Sequence, residues 1–226
     1  MLGTIVNALA VIAGAIVGML LKKGIPERIS DVIMKGVALC VLYIGISGAL
    51  SGTNTLITII SIVIGAVIGS LLDIDRRLNS LGEFAERKLS KGDGKVSIAE
   101  GFVSASLLFC VGSMAIVGSI QSGLTGNHEM LYTKSMLDGI SAMIFASTLG
   151  VGVFLSAAAV LVYQGVITLC AQWVQPFLND YVVAEMTCVG SLLIIALALN
   201  MLGITKLKTA NYLPAVFIPI ILCMFM

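Results

Sequence analysis

Six nearly uninterrupted apolar runs, roughly residues 3–21, 32–50, 55–72, 98–121, 184–203 and 210–226, constrain this chain more than anything else in it. Each approaches the ~20 residues with which an α-helix crosses the hydrocarbon of a bilayer. Hydrophobic residues make up 58% of the 226 and charged residues 11%, where a soluble domain has ~45–50% and ~25%. A soluble fold of this length has too much surface to hide so much apolar side chain. The bilayer is therefore the solvent and the first partner. The expected fold class is all-α, a polytopic transmembrane helix bundle forming a single transmembrane domain over 1–226.

Orientation follows from the basic residues. In "MLGTIVNALAVIAGAIVGMLLKK", Lys22 and Lys23 stand behind the apolar run. A secretory signal carries its charge in front and a cleavage site behind, so this run reads as a spanning helix that starts outside. Lys22, Lys23, Arg28 and Lys35 follow the first run. Arg76, Arg77, Arg87, Lys88, Lys91 and Lys95 fill the loop after the third, and Lys206 and Lys208 separate the last two. Only Lys134 falls elsewhere. Cytoplasmic loops carry the excess of Lys and Arg, which puts these three loops inside and both termini outside.

Parity then limits the long apolar stretch 135–174. The chain is inside at Lys95 and inside again at Lys206, with two runs between, so 135–174 crosses twice or not at all. The first choice gives about eight crossings. The second gives six plus a re-entrant hairpin turning at "STLGVG" (Ser147–Gly152), where two glycines weaken a helix. Within the loop 74–97, Ile74, Leu78, Leu81, Ala85 and Leu89 recur at helical spacing among charges, which predicts a cytoplasmic amphipathic connector lying at the interface.

The tetrapeptide CVGS occurs at 110–113 and again at 188–191. Alone the echo carries little weight, but a longer frame exists. Residues 99–118 and 184–203 both open with Ala-Glu, both place Ser-Leu-Leu after five further residues, and both close on Gly. The first run leaves the cytoplasm and the second returns to it, the arrangement of an inverted repeat. A second trace, 2–18 against 149–165, also joins runs of opposite direction.

Polar groups at membrane depth are costly and usually face a bundle interior or a water-filled path. The candidates for a substrate or ion pathway are Asn7, Asp138, Ser147, Thr148, Gly150, Gly152, Gln164 and Asn200. Serine and threonine can instead bond their own backbone, whereas an amide has four hydrogen-bonding sites to fill. Glu100 and Glu185 are candidate gates related by the repeat. Equally, each could be an acid placed at a helix N-terminus to meet its dipole. We expect the "STLGVG" break to face Asn7 and Gln164 across a polar cavity.

Other chemistries find no support. Net charge is +1, which argues against a nucleic-acid partner. The five cysteines (Cys40, Cys110, Cys170, Cys188, Cys223) lie in apolar runs without metal-ligand spacing, so no metal and no cofactor are expected. A single histidine, His128, argues against a metalloprotease or a Ser-His-Asp hydrolase, and the chain is not expected to be an enzyme.

The segments "GTIVNALAVIAGAIVG", "CVGSMAIVGSIQSGLTG", "ASTLGVGVFLSAAAVLVYQG", "EMTCVGSLLIIALALNMLGI" and "ANYLPAVFIPIIL" together resemble the YdfK/YqgA-like bacterial inner-membrane proteins, a domain of unknown function (554). The resemblance covers nearly the whole chain. It implies a multi-pass protein of the bacterial plasma membrane and implies no substrate. Ala196 and Ala198 stand where the resemblance leads one to expect glycine. The reading that follows is a secondary transporter or channel for a small solute or ion, with a homo-oligomer compatible. The alternative is a non-transporting membrane scaffold or assembly factor whose polar residues serve packing.

Overall fold

The computed structural model describes residues 1–22, 27–77, 80, 98–111 and 113–225. Helices joined by short turns make up these residues, without a strand among them. The long helices are α1 (Leu2–Lys22), α2 (Glu27–Ala49), α3 (Thr55–Leu71), α4 (Ile98–Val111), α5 (Ser113–Leu124), α6 (Glu129–Leu149) and α7 (Val151–Leu169). A single turn, α8 (Ala171–Val174), precedes α9 (Asp180–Met201). Of the amphipathic connector expected over 74–97, only 74–77, which are helical, and 80 fall among the described residues; the rest of that expectation lies outside them.

Among the described residues, four helices are long and apolar enough to cross a membrane: Leu2–Leu21, Asp31–Ala49, Val151–Leu169 and Asp180–Met201. A fifth span is obtained if α4 and α5 count as one, although their axes meet at 59°. The single run expected over 98–121 is therefore a bent pair. A second correction concerns 210–226, which folds as a 3-10 segment (Thr209–Phe217) leading into the short helix α10 (Ile218–Leu222). Pro214 and Pro219 lie in this stretch. Each lacks an N–H and would clash with a carbonyl four residues earlier in a regular α-helix.

Local chemistry explains several boundaries. The Asn54 side-chain oxygen accepts from Leu56 N at 3.1 Å, opening α3, and the Asn179 side chain accepts from Val182 N at 2.9 Å, opening α9. Both are N-caps that fill otherwise unpaired donors of a first turn. Between α6 and α7 the helix stops at Gly150, whose φ of 72° a residue with a Cβ seldom adopts.

Packing fixes relative directions. Gly3 lies against Leu131 and Gly18 against Met143 and Ala146, so α1 and α6 run parallel. A Cβ at Gly14 would collide with the carbonyl oxygen of Gly139, so the two backbones are in direct contact, the arrangement small residues permit between membrane helices. Thr4 meets Thr168 and Asn7 meets Gln164, which sets α7 antiparallel to α1. Gly45 packs on Ile195 and Gly52 on Cys188, which sets α2 antiparallel to α9. Gly65 faces Ala215 and Gly69 faces Asn211, which sets the 3-10 segment antiparallel to α3.

The two CVGS copies meet in space. Val111 of the first fills the slot left by Gly190 of the second. Gly112, between α4 and α5, lies outside the described residues.

Candidate functional site

Asn7 from α1, Lys134 and Asp138 from α6, and Gln164 from α7 form one cluster. Lys134 and Asp138 are four residues apart, neighbours on one helix face, and their ammonium and carboxylate meet at 2.6 Å. Both residues are 6% exposed, and Asn7 and Gln164 are 0% exposed. Asn7 Nδ2 donates to Asp138 Oδ2 at 2.9 Å and to Gln164 Oε1 at 3.3 Å. One turn further along, the Thr4 and Thr168 hydroxyls meet at 3.3 Å. The ionised carboxylate only accepts, so it fixes which way the Asn7 amide points. That leaves Asn7 Oδ1 and Gln164 Nε2 buried without a partner.

The expectation that the "STLGVG" break faces Asn7 and Gln164 is overturned. α6 and α7 form a hairpin that turns at Gly150, and Asp138 and Gln164 sit twelve and fourteen residues on either side of it. The two are brought together through the Asn7 amide of α1, about 18–21 Å of helix away from the break. At the break, Gly152 packs instead on Ile98, Gly101 and Phe102 of α4. Ser147 Oγ donates to Ile144 O at 2.7 Å, and Thr148 Oγ1 to Phe145 O at 3.0 Å. Both hydroxyls thus serve their own helix, as does Ser156 toward Val153 O at 2.6 Å.

Glu100 and Glu185 occupy unlike places. Glu100 is exposed in the first turn of α4. Glu185 is fully buried and lies five residues past the start of α9, which begins at Asp180 and not near 184. Its Oε1 accepts from Thr53 N at 2.7 Å, Thr53 Oγ1 at 3.1 Å and Asn54 N at 2.9 Å. Glu185 therefore ties the α2–α3 turn to α9. Asn200 closes the turn after α9: its Oδ1 accepts from Thr205 Oγ1 at 2.7 Å and Leu207 N at 2.9 Å, and its Nδ2 donates to Leu207 O at 2.7 Å.

Two cavities lie along α4. One, of about 150 Å³, is lined by Glu100, Ser104, Asp75, Asn200 and Thr209 among others. The second, of about 230 Å³, is mostly apolar and runs past Leu107, Cys110, Val111 and Tyr163. Val103 lines both. Neither Lys134 nor Asp138 lines either cavity.

Sequence reasoning brought Asn7, Asp138 and Gln164 forward but passed over Lys134. The signal was present, a lysine away from every basic loop with an acid four residues on. Thr4 and Thr168 gave no such signal, since threonine in a membrane helix usually bonds its own backbone.

Comparison with known proteins places this arrangement in a family. Residues 2–224 match the family described as "Protein of unknown function (DUF554)". The chain is 36% identical over 223 residues to "Uncharacterized membrane protein YdfK" of Bacillus subtilis (strain 168), covering 97% of this chain and 94% of that protein. It is 30% identical over 220 residues to "Uncharacterized protein YqgA" of Escherichia coli (strain K12), covering 96% and 94%. No solved structure matches. With nearly its whole length matched in both ways, the chain is a membrane protein that belongs to the DUF554 family.

Proposed function

We propose that the chain is a multi-pass protein of the bacterial plasma membrane that moves a small solute or ion across the bilayer without catalytic chemistry. The observation that carries the reading is the Lys134–Asp138 pair with Asn7 and Gln164, buried between apolar helices. Ionisable groups enclosed within a membrane helix bundle are by default candidates for a transport pathway. The cavities on either side of Val103 support a route along α4, from Glu100 towards Cys110 and Tyr163. The 59° bend between α4 and α5 is the kind of break from which transporters build central sites.

The reading includes eight crossings with both termini outside. Supporting it, α1 runs with α6 and against α7, and α2 and α3 run against α9 and the final segment. It also includes an inverted duplication. Both matching pairs run in opposite directions, α1 against α7 through Thr4–Thr168 and α4 against α9 through Val111–Gly190 and a cavity shared by Ala99 and Asn200.

The test is flux. Purified protein is reconstituted in sealed liposomes and screened with sodium, potassium, proton and chloride indicators and a panel of radiolabelled metabolites. At least one should move, and Asp138→Asn and Gln164→Leu should lower its rate tenfold or more while the protein still reconstitutes. A screen without flux, or a flux indifferent to both substitutions, sinks the transport reading in favour of the membrane scaffold.

A further inference from the structure

We propose that the cluster is a binding site for an alkali metal cation, with the Lys134 ammonium as a tethered competitor for the same carboxylate. This deepens the transport reading and rests on it for the claim that the ion travels; binding itself can be tested separately. Three helices bring hard oxygen donors together: the Asp138 carboxylate, the Asn7 and Gln164 amide oxygens, and the Thr4 and Thr168 hydroxyls. Oxygen donors of this kind suit hard cations. Among the described residues no group of three or more His, Cys, Asp and Glu assembles, so no thiolate or imidazole site competes for the assignment.

The charge count selects a monovalent ion. Asp138 is the one acid in the cluster, and the Lys134 ammonium at 2.6 Å already neutralises it. A divalent ion would leave a buried positive charge without a counter-ion, a state proteins avoid. A single positive charge replaces the ammonium one for one, and the flexible four-carbon stem of lysine lets that ammonium withdraw. The charged partner that the structure gives Asp138 is Lys134, one turn earlier on its own helix.

The second observation is the orphaned oxygen. Asn7 Oδ1 is buried without a partner, and turning the amide over would put that oxygen against the carboxylate. An ion beside Asp138 gives Asn7 Oδ1 something to coordinate, and a water in the ion's shell gives Gln164 Nε2 an acceptor. A proton on Asp138 would do neither.

The melting temperature of the full chain in lipid nanodiscs tests this at constant ionic strength, as sodium chloride or potassium chloride replaces choline chloride, at two pH values. Wild type should gain several degrees, saturably, with one or both alkali ions. Lys134→Met should reach half-saturation at tenfold lower ion concentration or less, because its competitor is gone. Asp138→Asn should abolish the dependence. Should Lys134→Met not fold, Lys134→Arg supplies the opposite arm, since a guanidinium holds the carboxylate more persistently and should raise the half-saturation point. Identical curves in sodium, potassium and choline for wild type and the Lys134 variant overturn the site. So does a dependence on pH alone, which would assign a proton. Ion-dependent stability without flux would remove the transport reading and keep the site; flux without any alkali-ion effect would do the reverse.

Discussion

Gly14→Ala gives the most direct check on how packing and the polar cluster depend on each other. The added Cβ would strike Gly139 O, with Gly139 C at 3.0 Å and Ala142 Cβ at 3.2 Å close behind. Restoring an ordinary carbon–oxygen separation of ~3.3–3.6 Å moves α1 away from α6 by about 1 Å. Such a gap forfeits a quarter to a half of each dispersion well, about 1 kcal/mol over roughly twenty atom pairs at the interface. The same movement stretches the bond from Asn7 to Asp138, now 2.9 Å, beyond useful range. Hydrogen bonds between membrane helices are worth up to about 1.7 kcal/mol. The sum, about 2.5 kcal/mol, is a roughly sixtyfold shift in the unfolding equilibrium. Equilibrium unfolding in mixed micelles of rising dodecyl sulfate content, followed by circular dichroism, reads it. Asn7→Ala removes the bond in advance, so in that background Gly14→Ala should cost only the packing part, a coupling of about 1.5 kcal/mol. A Gly14→Ala protein within about 0.5 kcal/mol of wild type, or full additivity with Asn7→Ala, would show that helix approach and cluster are independent.

Four further outcomes are expected. Glu185→Ala should destabilise by about 2 kcal/mol and speed amide exchange at Thr53 and Asn54, while Glu185→Gln, which keeps an acceptor, should lose less than half of that; equal losses would mean that only the side-chain volume matters. Ser147→Ala should stay within about 0.5 kcal/mol of wild type and leave any flux unchanged, since its hydroxyl serves its own helix; abolished flux would return the Gly150 break to the route. Gly190→Ala should lower the melting temperature, and Val111→Ala added to it should restore part of the loss, whereas no rescue would mean that these residues do not pack in the membrane. Reporter fusions should place residues 204–209 in the cytoplasm and the N-terminus outside, and a cytoplasmic N-terminus would overturn the orientation.

The helices were legible because apolar runs of membrane length leave few alternatives, and because Gly150 punctuates 135–174 as its backbone freedom suggests. The bend between α4 and α5 was not, since a run such as "FCVGSMAIVG" reads equally well straight; nor was the packing of Val111 on Gly190 of another helix. Asn7, Asp138 and Gln164 were legible from their cost in lipid, but their company was not. Placing the break beside them ignored the length of the hairpin arms, which carries residues 138 and 164 away from residue 150. Glu185 misled for another reason: with its helix starting at Asp180, it is no longer at a terminus and instead holds a turn from a different part of the chain.

The parallel contact of α1 with α6 sets a timetable for biogenesis. α1 is made well before its close partner α6, which begins more than a hundred residues later in the sequence. At ~5–20 residues per second, the span from residue 22 to residue 149 takes roughly 6–25 s to make. During that interval Thr4 and Asn7 have neither Thr168 nor Asp138 to meet, and an amide exposed to acyl chains is a standing penalty. The nascent N-terminal helix must keep those side chains near the headgroups, lean on α2, or be held by the insertion machinery until α6 arrives. Lengthening the delay, by slow codons between residues 50 and 128, should therefore lower the yield of folded protein even though every amino acid is unchanged.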